Sequence, residues 1–124
     1  MATILLAEDN EAVRLLTQAK LRHQFTVVTA ANGREALDIL NRQHVDLIVA
    51  DVMMPVMDGF EASRAIRALD RPDAATVPIL AMTAQASDEC AQSCHRVGMN
   101  GRLVKPLDAK KLAKSIREAV QNKQ

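Results

Sequence analysis

Short apolar runs separated by longer stretches of helical spacing recur along the whole chain, and no other property narrows its possible folds as far. The runs are Thr3 to Ala7, Phe25 to Ala30, Val45 to Ala50, Val77 to Met82 and Arg102 to Val104. Runs of this kind alternating with amphipathic stretches are the signature of a parallel sheet covered by helices on both faces. Between them, Glu11 to about His23 places Ala12, Leu15, Leu16 and Ala19 at helical spacing, and Asn32 caps a second helix with Ala36, Leu37 and Leu40 on one face. A third helix runs from about Gly59 to Leu69 on Ala62, Ala65, Ile66 and Leu69, and the polar Asp70-Arg71-Pro72-Asp73 ends it. Ser87 caps a fourth with Ala91, Cys94 and Val97, which Gly98 stops in the left-handed conformation. Asp108 caps the last, whose stripe is Ala109, Leu112, Ala113, Ile116 and Val120, and the polar end from Gln121 is expected to fray. The expectation is an α/β domain of five parallel strands and five helices, one domain over residues 1–124.

Composition excludes more than it selects. The 16 basic and 15 acidic side chains leave a formal charge of +1, so no one-signed field draws the chain to nucleic acid or a membrane surface. Phe25 and Phe60 are its two aromatic residues, too few for a base-stacking platform. The two cysteines, Cys90 and Cys94, and the lack of a signal peptide or a long apolar run fit a reducing cytoplasm.

In an open parallel sheet, ligands bind beyond the carboxyl ends of the strands. Those ends carry Glu8 and Asp9, then Asp51, Thr83 and Lys105. Right-handed crossovers put them all on one rim. Three carboxylates gathered there repel one another, and a divalent cation resolves the conflict. Hard oxygen donors that leave room for water and a phosphoryl oxygen describe Mg2+ better than calcium or zinc. Lys105 and Thr83 offer an ammonium and a hydroxyl to other phosphoryl oxygens, which leaves Asp51 as a nucleophile able to form an acyl phosphate.

Each residue alone has a plainer reading: the acidic pair as a helix cap, Asp51 as a solvated loop acid, Thr83 and Lys105 as surface groups. Their order at successive strand ends argues against that. Cys90, Cys94 and His95 could suggest a metal cluster, but no fourth ligand is near and the two cysteines read as small buried core thiols. His23 and His44 read as helix-end residues, Met54, Met57 and Met82 as core or loop filler, and Lys110, Lys111, Lys114 and Arg117 as the wet face of the last helix.

The acidic pair in "LLAEDN", the aspartate in "DVMMPVMDG", the threonine in "AMTA" and the lysine in "GRLVKP" resemble the receiver domain of two-component response regulators. The resemblance implies a flavodoxin-like (βα)5 fold with strand order 2-1-3-4-5. It implies that Asp51 takes a phosphoryl group from the phosphohistidine of a histidine kinase or histidine phosphotransfer protein. Mg2+ would be held by Glu8, Asp9, Asp51 and the backbone carbonyl of Met53, while Thr83 and Lys105 bind phosphoryl oxygens and Pro106 follows a cis peptide bond. Met53 and Gln85 occupy positions that tune how fast water removes the phosphoryl group. The kinase-side partner would dock over the first helix near Asp51, and the apolar "VMMPVM" would pack the loop against competing water.

The chain departs from the family pattern at Arg102, where most receivers carry a tyrosine or phenylalanine that rotates inward as the threonine moves. A guanidinium is costly to bury, so this Thr83-to-aromatic switch is expected to be weakened or replaced, with Arg102 as a contact on the face of helix four, strand five and helix five. Such a protein is enzymatic only toward its own aspartate. It is expected to be a monomer or weak dimer that signals to a protein partner, with "AMTAQA" and "GMNGRLVKPL" leaning toward receivers of hybrid sensor kinases. Two rivals remain: a phosphorylation-independent binding module, and a hydrolase of the haloacid-dehalogenase type. The hydrolase needs a second acid where this chain has Met53.

Overall fold

Residues 1–122, apart from 55, 85–87 and 106–107, are described by a computed structural model, with the backbone alone for Asp88, Cys90 and Asn122. Their element order is β1 (Thr3–Ala7), α1 (Glu11–Leu21), β2 (Thr26–Ala30), α2 (Gly33–Arg42), β3 (Leu47–Asp51), α3 (Gly59–Arg67), α4 (Pro72–Ala75), β4 (Ile79–Thr83), α5 (Asp88–Arg96), β5 (Gly101–Val104) and α6 (Ala109–Asn122). The strands form one parallel sheet in the order β2-β1-β3-β4-β5, as expected. The register aligns their carboxyl ends: Ala7 opposite Ala30 and Ala50, Asp51 opposite Met82, Thr83 opposite Val104.

Each face of the sheet has its own core. Ala36, Ile39 and Leu40 of α2, Ile66 of α3 and Cys94 of α5 pack on one side, and Leu21 of α1 with Leu112, Ala113 and Ile116 of α6 on the other. β3 and β4 are buried at every residue because they are central and covered twice. Each large aliphatic side chain buried this way stabilises the fold by about 1.5–3 kcal/mol.

The expected start signals act as such. Asn32 Oδ1 accepts from the Glu35 amide at 3.0 Å, and Asp58 adds a cap to α3 that was not expected, its Oδ1 accepting from the Glu61 amide at 2.9 Å. The Asp108 carboxylate accepts from the Lys110 amide at 2.8 Å, and Gly98 has φ +88° after α5. The expected Ser87 cap, the Pro106 bond and Gln85 lie outside the described residues.

Several expectations need correction. Six helices are described rather than five, because Asp70-Arg71-Pro72-Asp73 does not simply end α3. Pro72 opens the short α4, where the missing proline amide costs nothing at a helix start. α6 takes in the first two residues of the expected frayed end, 121–122, while 123–124 lie outside the described residues. β3 and β4 take in Asp51 and Thr83 as their last residues.

α1 is turned the other way. Leu15 and Leu16 are 53% and 57% exposed, and the helix meets the sheet through Leu21, Gln18 and Arg14. Gln18 donates to the Val27 carbonyl at 3.3 Å and Arg14 to the Glu8 carbonyl at 2.9 Å, and these anchors fix the rotation that the apolar spacing alone misassigns.

Candidate functional site

The acids converge at the rim. β1 is buried through Ala7 and delivers Glu8, 1% exposed, while Asp9 beside it is exposed. β3, hydrogen-bonded to β1 and β4, delivers Asp51, 4% exposed. One carboxylate oxygen from each of Glu8, Asp9 and Asp51 lies within 4.8 Å of the others.

Lys105, just past β5, reaches across this cluster. Its Nζ stands 2.6 Å from Asp51 Oδ2 and 3.4 Å from Glu8 Oε1. Its amide donates to the Thr83 carbonyl at 2.7 Å, which ties the lysine to the end of β4, where Thr83 is 2% exposed. Two short amide contacts shape the carboxylates: Met53 N to Asp51 Oδ1 at 3.0 Å and Asn10 N to Glu8 Oε2 at 3.2 Å. Among the described residues no buried side-chain polar atom is left without a partner.

The electrostatics follow from this crowding. Burial holds the Glu8 carboxyl above the usual range, and the Asp51 charge adds to that, against the opposing Asn10 amide and Lys105 ammonium. Burial works to lower Lys105, but its hydrogen bond to Asp51 and the charges of Asp51 and Glu8 outweigh it and hold the ammonium above its ordinary value. Three hard carboxylate donors at this separation fit a small dication. Glu8, Asp9 and Asp51 are the residues that would hold one.

The loop leaving Asp51 is more divided than its apolar composition suggests. Val52 and Met54 are buried, but Met53 and Val56 are 74% and 79% exposed, so the expected packing of "VMMPVM" holds for only part of it. Val56 has φ +71°, the one non-glycine positive φ among the described residues.

Arg102 pairs with Ala81, two residues before Thr83. It lines a cavity of about 540 Å³ with Pro78, Asn100, Ser115 and Glu118, toward the opposite ends of β4 and β5 from the acids.

Cys94 is buried in the core, as expected, His95 is exposed, and the Cys90 side chain lies outside the described residues. His44 is not a plain helix-end residue, for its ring nitrogens stand 3.0 Å from Asp46 Oδ1 and 3.4 Å from Asp73 Oδ2.

Sequence reasoning missed Arg67. Its guanidinium makes five hydrogen bonds, to the carbonyls of Gly98 (twice), Ala75 and Val77 and to Asn100 Oδ1, and joins α3 to both ends of the segment carrying β4 and α5. Burial lowers its pKa. An arginine in a last helical turn reads as a dipole partner, so the sequence offered no signal of this role.

Comparison with known proteins places these observations in context. The profile of the response regulator receiver domain matches residues 4–117. The transcriptional regulatory protein AfsQ1 of Streptomyces coelicolor is 38% identical over 118 residues, covering 94% of this chain and 50% of that protein, so the chain spans half its length. The chemotaxis protein CheY4 of Vibrio cholerae superposes with a TM-score of 0.90 at 37% identity, over 96% of this chain and 98% of the other. The receiver domain of the Pseudomonas aeruginosa sensor histidine kinase PA1611, solved with magnesium in its active-site cleft, gives 0.87 at 35% identity over 97% and 98%.

Proposed function

The chain belongs to the response regulator receiver domain family of two-component systems, and from that premise we propose that Asp51 is its phosphoacceptor, served by Glu8, Asp9, Thr83 and Lys105. Receiver domains of this family are phosphorylated by histidine kinases. The single observation that carries the residue assignment is the Lys105 ammonium, which lies against Asp51 and Glu8 from 54 and 97 positions away in the sequence.

The fixed end of β3 holds the Asp51 carboxylate in line for attack on phosphorus, which replaces much of the entropy a bimolecular encounter would lose. A carboxylate oxygen of Asp51 forms the new O–P bond as the N–P bond of a donor phosphohistidine breaks and its electron pair returns to the imidazole. Lys105 turns from Asp51 toward a phosphoryl oxygen, and the Thr83 hydroxyl takes another. Mg2+ bound by Glu8, Asp9 and Asp51, with the Met53 carbonyl, would supply positive charge to the phosphoryl oxygens. Water later cleaves the acyl phosphate and resets Asp51.

The exposed Val13, Leu15 and Leu16 of α1 lie on the helix that follows Asp9 and support docking of the donor there. Output is proposed to run through the face of α5, β5 and α6 to a protein partner, with Arg102 in place of an aromatic switch residue. A cytoplasmic setting is part of this proposal. Among the described residues no helix is long and apolar enough to cross a membrane.

Intact-mass spectrometry after incubation with acetyl phosphate and Mg2+ tests the proposal. One phosphoryl adduct is expected on the parent and none on Asp51→Asn. No adduct on either would favour a binding module, and continuous phosphate release from simple monoesters would favour a hydrolase.

A further inference from the structure

The loop from Asp51 to α3 is held from a side that the acid cluster does not reveal. The Gly33 amide, at the start of α2, donates to the Met57 carbonyl at 2.9 Å. At the other end of the loop, the Gly59 amide donates to the Val52 carbonyl at 3.2 Å. Both contacts are closer than any side chain permits. A Cβ on Gly33 would lie 2.7 Å from Met57 O and 2.9 Å from both Met57 Cγ and Ala62 Cβ, and one on Gly59 would lie 2.6 Å from the Asp51 carbonyl oxygen.

Between these anchors Val56 sits at φ +71°, a conformation that β-branched residues rarely adopt. Such a conformation persists only where its surroundings impose it. Gly59 is built into α3 beside Asp51, whereas Gly33 belongs to a different helix, so the second restraint comes from outside the loop's own supersecondary unit. At the loop's near end the Met53 amide donates to Asp51 Oδ1 at 3.0 Å, so the loop also fixes the orientation of the carboxylate.

We propose that Gly33 is a positioning residue for Asp51: by clamping Met57 it holds the loop in the strained form that keeps the Met53 amide on the Asp51 carboxylate. This rests on the proposed role of Asp51 in phosphoryl transfer, but the clamp itself is a claim about loop geometry. The Asn32 cap, whose Oδ1 accepts from the Glu35 amide at 3.0 Å, then acts on the same loop by keeping the first turn of α2 in place.

Backbone amide exchange by NMR separates this role from general loss of stability. Gly33→Ala is expected to raise Met53 amide exchange about 10-fold and to lower the saturating rate constant for phosphorylation by acetyl phosphate by a similar factor. Ile116→Ala, a cavity on the opposite face of the sheet, is expected to lower stability while changing neither. Should Gly33→Ala fail to fold, Asn32→Ala provides the second test: the Gly33 and Met53 amides are expected to open together, each severalfold faster. Opening at Gly33 with Met53 unchanged, or equal effects in Ile116→Ala, overturns the proposal. If the parent takes up no phosphoryl group, the assignment of Asp51 falls, while the exchange data still decide whether Gly33 holds the loop.

Discussion

Lys105 is the residue whose removal best separates folding from chemistry. Without it the buried Glu8 and Asp51 carboxylates face each other and Asp9 uncompensated. Lys105→Met is expected to destabilise the metal-free protein by about 1–3 kcal/mol in urea titrations. The same substitution should tighten Mg2+ binding by roughly 10-fold, because a competing positive charge is gone, while phosphorylation slows. Isothermal titration and acetyl phosphate kinetics would show the opposed effects.

Glu8 carries a pH signature of definite sign. Its carboxyl is raised by burial above the 4.5 of the free group, so between these values the folded chain binds a proton that the unfolded chain has released. This contribution stabilises the metal-free fold as pH falls through that window and is lost as pH rises through it. Mg2+ requires the carboxylate, so its affinity should weaken over the same fall in pH, measured as Mg2+ titrations at a series of pH values. Val56→Asn should raise stability by about 1 kcal/mol, since asparagine adopts positive φ more readily.

At the level of elements, Asp51, Thr83 and Lys105 were legible because strand ends are set by local hydrophobic runs and punctuation. The rotation of α1 was not, because its apolar residues and its polar anchors compete for the sheet, and only the partners Val27 and Glu8 decide between them. Arg67, Gly33 and the His44–Asp73 contact were illegible for the same reason, as each depends on a carbonyl or carboxylate that only the fold brings near. The exposed side of α1 makes a prediction of its own. Leu16→Glu should change stability by no more than about 0.5 kcal/mol, leave phosphorylation by acetyl phosphate intact and slow transfer from a phosphotransfer protein. Arg67→Lys should cost at least roughly 3 kcal/mol in urea unfolding, because one ammonium cannot satisfy the carbonyls of Gly98, Ala75 and Val77 together.

Across the whole molecule, the sheet keeps two polar clusters at its opposite ends. The acids, Thr83 and Lys105 stand at the carboxyl rim, while Arg102 and the Asn100–Arg67 network lie toward the amino ends of β4 and β5, with α5 and β5 running between them. Mg2+ at a hundred times its dissociation constant should stabilise the chain by about 2.7 kcal/mol, seen as a higher Tm in calorimetry and abolished in a variant lacking Asp9 and Asp51.

The ammonium lodged between Asp51 and Glu8 bears on when such a domain is ready to work. A pocket furnished with its own counterion needs no added ion to offset its acids, so the fold is expected to form in the presence of a chelator. Under the proposed phosphoacceptor role, the dication level of its surroundings would govern responsiveness more than folding, and a chelated sample is expected to be silent yet intact.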